Sequence, residues 1–232
     1  MRIPVRSSER FHSKEDWLET NWHFSFGHYH DPHNMGWGVL RVFNDDRIAP
    51  GGKFDLHPHA NYEIMTVVLE GALEHTDSGG HKGILRADGV QAMSAGSGVF
   101  HSEANTGKTA VHSLQIWIEP EKKGGAPAWK SQPFRAAGFH NELCALVSGV
   151  KTVPAPLSIR QKAVVYRSRL DAGRSITHSF PGAHGYLFVI SGELKADGIV
   201  LSSGDSLKLE DEKKIRLEAG KAGADLILFD LP

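Results

Sequence analysis

Histidine spacing poses the first chemical question. The segment Phe54-Asp55-Leu56-His57-Pro58-His59-Ala60-Asn61-Tyr62-Glu63 puts two imidazoles two positions apart, and alternate side chains of an extended strand share a face. Pro58 cannot donate to a strand ladder, so this strand belongs at an edge or near a barrel mouth. His101-Ser102-Glu103 repeats the alternation with an imidazole and a carboxylate. If the two segments are neighbours, three imidazoles and one carboxylate converge. Such a nitrogen and oxygen set suits Fe, Mn, Ni, Co, Cu or Zn, and it leaves an octahedral ion open positions for water, O2 or substrate. Open positions point to catalysis rather than to a structural ion. Glu63 has the parity to face the same interior as His57 and His59, so parity leaves two candidate carboxylates, Glu63 and Glu103.

The rest of the 232-residue chain must position these groups. Of 14 histidines, 11 lie in residues 1–120, which places the chemistry in the first half. Short runs rich in Val, Ile, Leu and Phe, cut by Gly, Asp and Ser, predict an all-β fold. Ser13-Lys14-Glu15-Asp16 predicts a capped helical turn before Trp17. The stretch 119–140, rich in Pro, Gly and Lys, reads as an interdomain linker. Across it the chain repeats: Gly52, His57, His59, Glu63 and Gly71 are matched by Gly173, His178, Phe180, His184 and Gly192, all 121 residues on. Leu114–Pro120 is echoed by Leu226–Pro232, 112 residues on. Two related β units follow. The second lacks a complete ligand set, because Phe180 and His184 replace a His and a Glu and the closest analogue of His101-Ser102-Glu103 is Arg216-Leu217-Glu218. A guanidinium has no lone pair to give.

With 26 Lys+Arg against 27 Asp+Glu and a net charge of −1, no electrostatic excess supports binding of nucleic acid or an anionic membrane. The single cysteine, Cys144, the absence of an apolar leader and the lack of any long apolar run predict a cytoplasmic location. His28, His30 and His33 read as a solvated loop beside Asp31-Pro32, and Gly96-Ser97-Gly98 is too short for a phosphate loop. Trp22, Phe24, Phe26, Trp37 and Phe43 read as core, and Gln115 as either a pocket or a surface amide.

Residues His57–Gly71, the turn His75–Gly80 and the segment Gly89–Glu103 resemble the signature of the pirin family of bicupins, and Trp22–Pro32 is similar to that family's opening segment. The resemblance implies two antiparallel, jelly-roll-like β-barrel domains packed together: a metal-binding cupin over 1–125 and a degenerate, metal-free cupin over 126–232. It implies one divalent ion, iron(II) ranked first with Mn, Ni, Co, Cu or Zn as alternatives, held by His57, His59, His101 and Glu103. It thereby ranks Glu103 over Glu63, which becomes a candidate to orient an imidazole. The implied activity is that of a metal-dependent dioxygenase opening quercetin or a related flavonol or enediol aromatic with O2, releasing carbon monoxide, with Glu103 as base. The alternative is a redox-sensing regulator that binds a protein partner, since the eukaryotic pirins act as cofactors of transcription regulators.

Overall fold

The computed structural model describes residues 1–134 and 136–232. Among these the chain forms strands and two short 3-10 turns, with no α-helix. The strands are β1 (Arg2–Val5), β2 (Phe11–Lys14), β3 (Leu18–Trp22), β4 (Leu40–Ile48), β5 (Lys53–His59), β6 (Glu63–Glu70), β7 (Ala72–Asp77), β8 (Lys82–Arg86), β9 (Gly89–Ser94), β10 (Val99–Ala104), β11 (Val111–Ile118) and β12 (Ala128–Pro133). They continue as β13 (Cys144–Ser148), β14 (Leu157–Ser158), β15 (Val164–Leu170), β16 (Ser175–Ser179), β17 (His184–Ala196), β18 (Ile199–Ser202), β19 (Ser206–Glu210) and β20 (Lys214–Leu231).

The chain divides into two compact units, and both are discontinuous. One comprises Phe11–Phe134 with Leu157–Gln161; the other comprises Met1–Arg10, residues 136–156 and Lys162–Pro232. This differs from the expected division between 125 and 126. The N-terminal ten residues group with the C-terminal unit because β1 pairs along β19, Arg2 opposite Leu209 and Val5 opposite Ser206. The expected linker holds a strand: β12 pairs with β9 through six residues, Ala128 opposite Ser94 to Pro133 opposite Gly89. The expected helical turn at Ser13 is a hairpin instead, with Phe11 opposite Trp22 and Lys14 opposite Glu19. Cross-strand burial of Phe11 on Trp22 (ring centroids 5.0 Å apart) outweighs a local capping preference.

In the first unit a sheet ordered β12-β9-β6-β11-β4-β3-β2 accompanies a smaller one ordered β5-β10-β7-β8. The sheets are open and jelly-roll-like, not closed barrels. Register on the larger sheet lines up Gln91, Thr66, Gln115, Asn44 and Trp22 across five strands. This row divides the core. Ile64, Met93, Ala95 and Val99 pack on one side of it and Ile48, Val68, Leu73, Leu85 and Val111 on the other. In the second unit, ordered β1-β19-β17-β20-β15-β13, the position of Thr66 is held by Leu187, and one apolar cluster runs through the interior without such a break. The repeat is visible in the backbone as well. Gly71 and Gly192 both adopt positive φ, 80° and 83°, and a Cβ at either would strike a backbone carbonyl, of Ala110 or Gly223.

Candidate metal centre

Strand β10 lies between β5 and β7, and its pairing sets His101 opposite His57. Alternation sends Val99, His101 and Glu103 inward and leaves Phe100 exposed. Three imidazoles meet: ring centroids of His57 and His59 are 4.7 Å apart, His57 and His101 4.5 Å, His59 and His101 4.8 Å. One ligand nitrogen from each falls within 4.8 Å of the others. His57, His59, His101 and Glu103 all line one pocket.

The histidines are prepared to give lone pairs. His57 Nδ1 lies 2.6 Å from the carbonyl of Asp55, which as acceptor fixes the Nδ1–H tautomer and leaves Nε2 bare. Burial lowers the pKa of His59 to about 4, with His57 adding to the effect. Burial lowers that of His101 to about 2, reinforced by His59, His57 and His75 and opposed by Asp77. Both rings are therefore neutral across the physiological range. His101 is 1% exposed, and neither of its nitrogens finds a hydrogen-bond partner among the described residues. Leaving such atoms unmatched costs about 1–3 kcal/mol each. A divalent ion accepting the ring's one lone pair removes that cost at one nitrogen, so the donor set fits a metal.

Glu103 is 2% exposed and held from three directions. Gln91 Nε2 and Thr66 Oγ1 donate to Oε1 at 2.6 and 3.0 Å, and Gln115 Nε2 donates to Oε2 at 2.8 Å. Gln91 is itself fixed by Trp129, whose indole N–H reaches Oε1 at 3.0 Å. Burial raises the pKa of Glu103, against the lowering effects of His75 and these hydrogen bonds. Glu63 takes a different role from the one expected. It is 1% exposed, but Oε2 accepts from Ser94 Oγ (2.6 Å) and the Arg160 amide (3.1 Å), and it does not line the pocket. Its partners tie down strands, not an imidazole.

The pocket has two further faces. Leu18, Trp22, Phe26, Phe54 and Trp117 supply the apolar one; Asn44, Asp46 and Gln115 supply the polar one. Asp46 is buried, accepts a hydrogen bond from Thr20 Oγ1, and has its pKa raised by burial to about 7. Trp22, Phe24 and Phe43 are core, as expected, while Trp22 also lines the pocket together with the half-buried Phe26. Sequence reasoning missed Asn44, Asp46, Thr66, Gln91 and Trp117. The available signal was a polar residue at an inward position of an otherwise apolar strand, as in Glu63–Glu70 and Gly89–Ser94. It also assigned nothing to His75, which is 1% exposed, stacks on Trp129 (5.2 Å) and lies with His101 and Glu103 in a second group of mutually close ligand atoms. His28 packs on Phe11 and Trp22 rather than joining a ligand cluster.

In the second unit the positions that answer the ligands are apolar. His178 pairs with Ile215, as His57 pairs with His101. Ile215 and Leu217 therefore stand where His101 and Glu103 stand, and both are fully buried. Arg216, expected at the imidazole position, is instead exposed and pairs with Glu218 at 2.9 Å. His178 is half-buried, with Nε2 3.4 Å from Asp230 Oδ2. His184 meets the carbonyl of Pro232.

Two tandem jelly-roll units, one with an inward cluster of three imidazoles in a pocket that a buried carboxylate also lines, define a bicupin. The chain belongs to the pirin family: the Pirin family profile matches residues 5–118, and the quercetinase C-terminal cupin domain matches residues 146–231. It is 42% identical over 215 residues to a pirin-like protein of Caulobacter vibrioides, covering 92% of each chain. It is 37% identical over 236 residues to the quercetin 2,3-dioxygenase of Escherichia coli K12, covering 98% of this chain and 97% of that one. The crystal structure of YhhW from Escherichia coli superposes with a TM-score of 0.94 at 35% identity, covering 100% of this chain and 98% of that chain. A second YhhW structure, a complex with nickel(II), gives 0.93 at 35% identity, with coverage of 100% and 99%. No helix among the described residues is long and apolar enough to cross a membrane.

Proposed function

We propose that the protein is a metal-dependent dioxygenase acting on an aromatic or enediol compound with adjacent hydroxyl and carbonyl oxygens, with His57, His59, His101 and Glu103 as ligands to one divalent ion. The observation that carries this reading is His101: a fully buried imidazole with two unmatched nitrogens beside two other imidazoles. A bound ion would supply Lewis acidity to a substrate hydroxyl and open positions for substrate and O2. Glu103 takes the hydroxyl proton, and burial suits it to that task by raising its basicity. Gln91, Thr66 and Gln115 keep its oxygens in place while leaving lone-pair capacity for the ion. The apolar wall limits water around the anion so formed. Related proteins named quercetin 2,3-dioxygenase and the nickel(II) complex of YhhW support this reading.

The test is anaerobic purification with elemental analysis, followed by O2 uptake and carbon monoxide detection with quercetin and with one-ring hydroxypyranones. Uptake that appears only with the ion bound is the expected result. Metal-loaded protein that consumes no O2 with any of these compounds would favour a second reading, a metal-dependent partner-binding protein. Leu56 and Phe100, exposed by 66% and 51% on the metal-bearing sheet, are the observation on its side.

A further inference from the structure

We infer that His75 is a positioning residue of the metal centre: Asp77 holds the proton on its Nε2, and its Nδ1 accepts the N–H that His101 keeps once an ion takes that ring's other nitrogen. The inference rests on the proposed metal site and adds a residue outside its ligand set. A neutral imidazole gives one lone pair and carries its proton on the remaining nitrogen. His101 finds no hydrogen-bond partner at either nitrogen among the described residues. Ion binding therefore satisfies one nitrogen and leaves a buried N–H in need of an acceptor. Ligating histidines ordinarily meet that need with a neighbouring group, which fixes the ring's tautomer and orientation.

His75 stands where the acceptor is required. Strand β10 runs between β5 and β7. His101 has His57 on the β5 side, ring centroids 4.5 Å apart, and His75 on the β7 side at 5.3 Å. One ligand atom from each of His75, His101 and Glu103 lies within 4.8 Å of the other two. His75 is 1% exposed, and its Nδ1 is likewise a buried atom without a partner among the described residues. Its Nε2 lies 3.3 Å from Asp77 Oδ2. Burial raises the pKa of Asp77, but hydrogen bonds from His81 and His75 outweigh it and hold the carboxyl below its usual range. An ionised carboxylate only accepts, so the proton sits on Nε2 of His75 and Nδ1 keeps its lone pair. The rival acceptors are engaged. Asp77 Oδ1 takes the amides of Gly79 and His81 at 2.9 and 3.0 Å, and Oδ2 faces His75 and His81. Glu103 already accepts from Gln91, Thr66 and Gln115. One unmatched acceptor and one unmatched donor remain, on neighbouring strands. The His75 ring is held in plane by Trp129, stacked 5.2 Å away at 12°. Gly83, opposite His75 on β8, makes room for that indole, since a Cβ there would sit 2.8 Å from it. A turn of His101 about its broad second torsion then closes the bond.

The experiment loads the full chain with zinc(II) and reads the tautomer of each ring by NMR of the imidazole nitrogens. His75 protonated on Nε2 and a His101 N–H protected from exchange are expected. Chelator competition then compares variants. His75→Phe keeps a stacking ring but removes the acceptor, and should weaken zinc(II) binding by about ten- to a hundredfold. His75→Asn, whose amide oxygen stands near the position of Nδ1, should recover most of that loss. Asp77→Asn preserves volume: the Gly79 and His81 amides keep its oxygen in place, so its NH2 meets Nε2 and the His75 proton moves to Nδ1, donor against donor. It should lose as much affinity as His75→Phe, with the changed tautomer visible in the spectrum. A proton on Nδ1 of His75 in the parent, parental affinity in His75→Phe, or equal losses in His75→Asn and His75→Phe overturns the positioning role and leaves the metal site standing. Should His75→Phe fail to fold, Asp77→Asn decides, and parental affinity in it overturns the assignment. A parent protein that binds no zinc(II) overturns both the inference and the metal site beneath it.

Discussion

At Glu103 three neutral donors converge on one carboxylate, so its charge is anchored by hydrogen bonds even before an ion is considered. Glu103→Gln turns at least one of those contacts into donor against donor, at a cost of about 1–3 kcal/mol. That variant should fold, hold its ion less tightly in competition with a chelator, and lose roughly a hundredfold or more in O2 uptake with whichever substrate the parent consumes. Parental turnover would remove the base role from Glu103. Charge at the neighbouring residues gives a pH signature. The unfolded chain protonates His59 and His101 near pH 6.5, whereas the folded chain holds them neutral down to about 4 and 2. The unfolded state binds more protons in that window, so these groups make metal-free protein less stable as pH falls from about 6.5 towards 4. Asp46 acts oppositely. Its carboxyl keeps a proton up to about 7 when folded, and that contribution fades as pH rises from about 4 to 7. In urea titrations of chelated protein, His59→Gln should flatten the acid loss, and Asp46→Asn should gain stability over the parent at pH 8 but not at pH 4.

Among the elements, three members of the cross-strand row, Gln91, Thr66 and Gln115, hydrogen-bond Glu103, which is why the proposal takes it over Glu63 as the carboxylate. Parity with His57 and His59 admitted Glu63 and parity with His101 on β10 admitted Glu103, because alternation identifies a face but not the depth at which a side chain ends. Register supplied what was missing: Glu63 sits opposite Ser94, while Glu103 sits beneath the polar row. The histidine pair and its partner were legible because two-residue spacing survives any error in strand boundaries. The row was not, since Thr66 and Gln91 look like isolated polar residues until β6, β9 and β11 are aligned. The hairpin at Phe11 was missed for a similar reason, its stabilising partner being Trp22 and not a sequence neighbour. Gln91→Leu keeps the apolar volume but removes the 2.6 Å bond to Glu103 and the acceptor for Trp129. It should lower ion affinity by about ten- to a hundredfold, read by chelator competition, and also destabilise the metal-free protein by about 1–3 kcal/mol through the groups left unmatched.

For the whole molecule, the repeat at 121 residues was readable from glycines and histidines alone, and Gly71 and Gly192 confirm it in their backbone angles. The second unit was harder to read in detail. Spacing alone does not give the register; pairing with His178 makes the residue answering His101 Ile215 and not Arg216. A unit filled by Phe180, Ile215 and Leu217 should bind no ion, and elemental analysis should give one equivalent per chain, unchanged in His178→Ala. Discontinuity of the units was invisible because β1 carries no motif. Deleting residues 1–10 removes its four cross-strand pairs with β19, the Arg6–Asp205 ion pair and the Arg10 hydrogen bond to Ser206, and exposes a sheet edge. Calorimetry should show a lowered transition for the C-terminal unit, with the ion content of the protein retained.

The placement of β1 also sets an order of events at the ribosome. Strand β1 pairs with Ser206–Leu209, made about two hundred residues later. At roughly 5–20 residues per second, β1 waits on the order of ten seconds or more for its partner strand. The histidine-bearing unit needs nothing beyond Gln161. The nascent chain can therefore assemble its ligand cluster, and meet its first cation, while the strand that will take up β1 has yet to be translated.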